Sequence, residues 1–357
     1  DKGYEVVLAY HEEDSYLMRF ANSAISLNTN EHLIRMEITA YEGKKRASYE
    51  LITDLAKWDE MVQGIETAAE MVTHSQPLQY QPTIPFYTET FIDELGFDPD
   101  LGEISNEEKL AYFNRAVQDL ETDDLRLSGI FSCGTNIIAQ INTRSEHVQF
   151  FKTSDAQVTV VLAHAVEKWE VIAEQSAYRK ADLNPDKIHR ELNFLVDLYQ
   201  TEEPEQLPLG SYDIVFGPAA SAEMISFMNW IGFNGGLMKR GYSFLSEDQV
   251  GKKVFSDKFN LTDDPECLET YPFKQDLMGI PRKPYPIYQA GVFQGFVWSQ
   301  DDADEFGAQA TGHTVPHKSL RIHPGTVAAG SLEELVAMPR EVDVLYIPFL
   351  HYMNIVN

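Results

Sequence analysis

"YEVVLAY", residues 4–10, opens a stretch to residue 52 that reads in the strand manner, with the period of two that a half-buried β-strand requires. The alternation returns in "YLMRFANSAISLN" (16–28), in "HLIRMEITAY" (32–41) and, after an "EGKK" turn, in "RASYELIT" (46–53). From about Thr53 to Thr73 the spacing changes: Leu55, Trp58, Met61, Val62 and Ile65 fall three or four apart, which predicts a helix. Residues 1–75 thus read as a strand meander covered by one helix. The proline-broken "SQPLQYQPTIP" leads out of it.

Working outward, residues 76–206 form a central α/β region, either separate or one domain with the first. Ser105 and Glu108 have capping-box spacing ahead of an apolar face of Leu110, Phe113, Val117 and Leu120. Four strand-like runs follow, "RLSGIFSCG", "NIIAQINT", "HVQFFKT" and "QVTVVLAHA". A second helix, capped by Asn184 with Pro185 at its first position, runs to about Tyr199. The acidic, proline-bearing "TEEPEQLPLG" (201–210) marks the clearest boundary. Beyond it, residues 207–357 carry many short apolar runs broken by Gly and Pro, including "GVFQGFVW", "SLRIHPG" and "EVDVLYIPFL". The expected class is α+β: an N-terminal α/β region of β-meanders with covering helices, then a mostly β C-terminal domain.

Charge limits the function classes. Twenty-eight Lys and Arg against 56 Asp and Glu leave a net charge of −28, a surface that repels phosphate backbones and anionic membranes. The short basic run "GKKR" (43–46) is a hairpin-turn signal. Cys133 and Cys267 stand far apart and give no disulfide framework, which suits a reducing compartment, by default the cytoplasm. The N-terminus has no signal-peptide pattern, and the most apolar window contains Pro218 and Glu223, so no membrane span is expected.

Phosphate-loop, dinucleotide, serine-elbow and CxxC motifs are absent. Three features remain. "HTVPHKSLRIHPG" holds His313, His317 and His323, which could supply three zinc ligands if they converged, or could be solvated loop residues. Asp263–Asp264 in "NLTDDPE" could hold a cation, although a turn-forming Asp–Asp–Pro is the plainer reading. "SAEMISFMNW" (221–230) places one acid, Glu223, inside an apolar helical run, where a bond to backbone or to Lys239 or Arg240 is expected. Phe227, Met228 and Trp230 read as core or interface residues.

"GSYDIVFGPAASAEMISFM", "GLMKRGYSFLSEDQVGKKVFSDKFNLTDDP", "YQAGVFQGFVW", "ATGH" and "SLRIHPGTVAAGSLEELV" occur in the order found in the TldD/PmbA family, also called modulators of DNA gyrase, which the chain resembles. The resemblance is weak across the first two parts and clear from about Gly210. It implies a peptidase-related role. In the metal-bearing branch the corresponding helix carries HExxxH, two zinc-binding histidines and a general-base glutamate. Laid on this chain, the motif falls on "AEMISF": Ala222 and Phe227 stand at the ligand positions and Glu223 at the base position. Neither a methyl nor a phenyl ring has a lone pair for a metal. In "QDLMG", Asp276 and Gly279 match the family's acidic "DDEG" patch, while Met278 stands where Glu is expected. The last metal ligand of that branch is implied in a later segment not found before Asn357.

The resemblance therefore implies the PmbA/TldE-like, metal-free subunit of a cytoplasmic peptidase. It would pair with a TldD-like metal-bearing partner or with itself as a dimer, and act on unfolded or modified peptides. No cofactor is expected in this reading, nor direct contact with nucleic acid or membrane. Two alternatives stand beside it: a self-sufficient metallopeptidase with zinc at another site such as the histidine loop, and a homodimeric, non-catalytic peptide-binding protein.

Overall fold

The computed structural model describes residues 3–203, 205–316 and 318–350. In chain order the first half contains β1 (Glu5–Ala21), β2 (Ala24–Glu42), β3 (Lys45–Thr53), α1 (Trp58–His74), β4 (Phe91–Asp93), α2 (Pro99–Gly102), α3 (Asn106–Ala116), β5 (Leu125–Asn142), β6 (Ser145–His164), β7 (Glu170–Ala177) and α4 (Pro185–Thr201). Among the described residues these strands make one seven-stranded sheet in the order β3-β2-β1-β5-β6-β4, with β7 also on β6. All pairs are antiparallel except β4 with β6. The sheet crosses the expected break at residue 75, because β1 pairs with β5 from Val7↔Asn142 to Phe20↔Gly129.

The strands are longer than the alternation indicates; the "EGKK" turn forms as read, between Glu42 and Lys45, but another reversal lies elsewhere. "YLMRFANSAISLN" is not one strand: the chain reverses at Asn22 and Ser23, with φ of 51° and 61°. Left-handed backbone at both positions is what a two-residue hairpin needs, and Asn tolerates it. The polar "HEEDS" does not break β1, because its residues pair across to β2, Asp14 with His32 and Glu13 with Leu33. The four central runs likewise fuse into β5 and β6. Helix α1 starts at Trp58 rather than near Thr53, since β3 continues to Thr53; Leu55 and Trp58 are left exposed.

Period-two alternation then sets the layers. Even-numbered residues of β1 face the helices: Val6 and Leu8 pack with Ala68 and Val72 of α1, and Met18 and Phe20 pack with α3 and α4. The capping box at Ser105–Glu108 and the Asn184 cap form as read. Odd-numbered residues, Ala9, His11, Glu13 and Ser15, face a cavity of about 520 Å³. Its opposite wall comes from Tyr271, Phe273 and Pro316 of the C-terminal region.

That region contains β8 (Asp213–Phe216), α5 (Pro218–Phe227), a π-helical turn (Met228–Gly232), α6 (Gly235–Lys239), β9 (Leu261–Asp263), β10 (Tyr285–Gln289), β11 (Val292–Phe293), α7 (Gln300–Phe306), β12 (Leu320–Ile322), α8 (Leu332–Ala337) and β13 (Val344–Ile347). The strands form a sheet in the order β11-β10-β9-β12 and a parallel pair, β13-β8. The α+β class holds, but each strand here is only two to five residues long, so helix and irregular chain make up more of the region than strand. Gly and Pro interrupt the apolar runs too often for longer ladders. Its core joins Ile225, Phe233, Leu261, Ile287, Tyr288 and Phe293.

The two halves dock through polar contacts and ring pairs, among them Phe194 of α4 with Tyr346 of β13. Arg46 and Tyr80 both bind Asp301, at 2.5 and 2.9 Å. Tyr87 and Gln140 donate to the Leu277 carbonyl, at 2.7 and 3.0 Å, and Phe151 meets Phe273 edge-on.

At Gly134 the backbone of β1 leaves no room for a side chain on β5: a Cβ there would lie 2.5 Å from the Asp14 carbonyl oxygen. Gly134→Val is expected to lower stability by about 1–3 kcal/mol or more, read as a shift in denaturant midpoint. An unchanged midpoint would show that the strands can separate there at no cost.

Candidate functional site

Pro218 at the first position starts α5, and its apolar side packs Ile225 into the C-terminal core. Ala222 is exposed, and Glu223 and Phe227 are half-buried. Glu223 does not bond to Lys239 or Arg240 as expected. Lys239 binds Glu247 at 2.6 Å, and Arg240 binds Asp302 at 2.9 Å and also Glu305. Among the described residues Glu223 has no hydrogen-bond or ion-pair partner. Partial exposure lets water solvate it, which removes the need for pairing. Phe227 stacks edge-on against Trp230, whose ring is 59% exposed, while Met228 packs against the core.

On a regular α-helix, residues five apart such as 222 and 227 lie roughly 140° apart. The helix is distorted, but later: a π turn begins at Met228, with the Phe233 amide bonding to the Met228 carbonyl at 3.2 Å. Such turns bring residues five apart onto one face. Here they are Met228 and Phe233, so the distortion does not bring 222 and 227 together. A zinc ion does not fit the α5 positions, because Ala222 and Phe227 offer no donor atom and Glu223 alone supplies too few.

The denser constellation lies around β9. Asp263 belongs to the strand and not to the Asp–Asp–Pro turn. Its side chain is 1% exposed and that of Arg282 is 2% exposed, joined at 2.6 Å. His313 Nε2 approaches the same carboxylate oxygen at 2.6 Å, outside hydrogen-bond geometry. The Ser319 amide donates to the other oxygen at 2.7 Å. Burial by itself would raise the Asp263 pKa, but His313 and Arg282 together hold it down to about 2. The turn itself is made by Asp264, which accepts from the Glu266 amide at 3.1 Å.

The three histidines do not all reach this cluster. His323 Nε2 bonds to Thr262 Oγ1 at 2.9 Å. Thr262 and Asp263 are neighbours on a strand, so His323 and His313 are directed to opposite faces of β9. His317 lies outside the described residues. Asp276 accepts from the amides of Met278, Ile280 and Thr314, at 3.0, 2.8 and 3.3 Å. It thus acts as a loop clamp, with Gly279 at φ 82° in the turn it closes.

Lys318 escaped the sequence reading, which attended to the histidines around it. Its ammonium donates to Asn229 Oδ1 on the π turn at 2.8 Å. Burial pushes its pKa down to about 8; Asp263 opposes the shift and Arg282 adds to it. The loop from Thr311 to Ser319 therefore ties the Asp263 cluster to the distorted end of the α5 helix. Among the described residues, one set of His, Cys, Asp and Glu has three ligand atoms mutually within 4.8 Å: Glu12, Asp14 and His32, on the helix-facing side of the sheet. There the His32 ring already sits between the two carboxylates, with Nδ1 2.6 Å from Asp14, and Asp14 raises its pKa. As a cation, the ring itself balances their charge.

Residues 209–357 match the family model of the PmbA/TldA metallopeptidase C-terminal domain. The C-terminal region is thus a domain of the TldD/PmbA type. No curated protein matches the sequence. The fold resembles that of a protein described as a modulator of a DNA gyrase from Thermotoga maritima, with a TM-score of 0.75 and 17% identity over 94% of this chain and 76% of that one. It also resembles TldE from Thermococcus kodakarensis, with a TM-score of 0.72 and 17% identity over 96% and 79%. A Bacteroides thetaiotaomicron protein, also described as a modulator of DNA gyrase, scores 0.72 at 15% identity over 94% and 75%. At these identities the likeness extends to the fold alone.

Two outcomes test the Asp263 cluster. Asp263→Asn strands the Arg282 charge and is expected to cost about 3–5 kcal/mol, against a small effect for Asp264→Asn in chemical denaturation. Lys318 binds its proton less tightly when folded, so the wild type should gain stability over Lys318→Met as pH rises from 8 towards 10.5. A flat difference across that window would place Lys318 in solvent.

Proposed function

We propose that the chain is a PmbA/TldE-like, metal-free subunit of a peptidase, pairing with a TldD-like chain that carries the HExxxH ligands. The observation that carries this reading is α5. It keeps the helix and the glutamate while presenting a methyl and a phenyl ring where the metal-bearing branch has imidazoles. In this role the chain contributes walls, edge strands and dimer surface. The outer edge of β3, paired only with β2 among the described strands, offers main-chain groups to an extended peptide.

The remaining features agree with such a role in the cytoplasm. Both cysteines are free and buried. No described helix is long and apolar enough to cross a membrane. The net charge of −28 disfavours direct contact with DNA.

Mixing the purified chain with a HExxxH-bearing family partner tests the proposal, with cleavage of an unfolded peptide as the readout. The expected result is no cleavage by either chain alone, cleavage by the mixture, and no loss on Glu223→Gln. Cleavage by this chain alone, abolished by Glu223→Gln, would overturn it.

A further inference from the structure

The cavity between the sheet and the C-terminal region contains an acid that the fold itself does not neutralise. Asp155 on β6 points into it, held by Asn136 Nδ2 at 3.2 Å and by the Tyr271 hydroxyl. Burial and the nearby charge of Glu13 both raise its pKa, and among the described residues no Lys, Arg or His forms an ion pair with it. The guanidinium that shares the cavity, Arg35, is already bound to Glu13 at 2.9 Å. His11 is bonded to Asn136 at 2.9 Å. Glu37 and Glu50 add further negative charge to the wall.

The shape of the site indicates which cation would fit. Among the described residues, the cavity's carboxylates and His11 do not form a three-ligand set within 4.8 Å, so one small metal ion is not reached by three of them at once. The wall also carries apolar surface, with Ile138 on the sheet and the rings of Tyr271 and Phe273 opposite. An ammonium on an apolar stem matches this: the stem lies along the rings, and the charge meets Asp155 and Glu13.

We propose that this cavity binds the primary ammonium group of a peptide, seated between Asp155 and Glu13 with its carbon stem against Tyr271 and Phe273. The inference rests on the peptide-handling role proposed above and narrows its substrate class to peptides bearing an ammonium. Direct binding to this chain alone tests it without any partner or hydrolysis, so it can fail while the subunit assignment stands, and the reverse.

The experiment is calorimetric titration of the full chain with three short unfolded peptides of one sequence. One is N-acetylated with a single lysine, one has a free N-terminus with norleucine in place of lysine, and one is N-acetylated with norleucine. Binding of the first or the second, but not the third, is expected, and whichever binds identifies the source of the ammonium. Asp155→Asn should weaken that binding about tenfold or more, the loss of one charge-assisted contact. Should that variant fail to fold, Glu13→Gln, which frees Arg35 to repel a cation, should weaken the same peptide. Equal binding of all three peptides, or no change in either folded variant, would overturn the proposal. So would displacement of the bound peptide by equimolar zinc or manganese, which would make the cavity a metal site.

Discussion

The carboxylate of Asp263 holds the C-terminal region in register. It sits in β9 with its side chain almost wholly withdrawn from water, and takes Arg282 from one segment, His313 from a second and the Ser319 amide from that same loop. A buried acid in this position is costly without its partners: losing Arg282 strands its charge, and losing His313 or the Ser319 amide removes part of its compensation. Because Lys318 lies beside Ser319, the same node fixes where its ammonium meets Asn229 on the π turn. The distorted end of the α5 helix is thereby tied to the sheet β11-β10-β9-β12.

This arrangement explains how the helix of a metallopeptidase-type domain can persist without donor atoms at its ligand positions. The interactions that place α5 come from Ile225 and Met228 in the apolar core, from the neighbouring π turn and from the Phe227–Trp230 ring contact, not from residues 222 and 223. Glu223, half-exposed and unpaired among the described residues, carries no structural burden. Between the two halves, Asp155, Glu13 and Arg35 line the cavity.

Much of the fold is legible in local signals. The Ser105–Glu108 box and the Asn184 cap with Pro185 are short-range hydrogen-bond patterns, and both helices begin where those patterns place them. The strand boundaries were less legible. The Asn22–Ser23 reversal lacks the glycine that normally marks a tight hairpin, and the polar middles of β1 and β2 are kept extended by each other across the ladder. The site was less legible still. Asp263 looks like a turn residue until Arg282 and His313, 19 and 50 positions away, are brought to it. Lys318 is one lysine in a histidine-rich run, and its burial comes from long-range packing that periodicity does not encode.

The most direct test of the central claim, that this chain supplies no metal of its own, is elemental analysis of the protein purified without chelator, alongside His313→Ala. The account predicts only background zinc in both proteins. About one zinc per chain, lost in His313→Ala, would contradict it and make the histidine loop the metal centre.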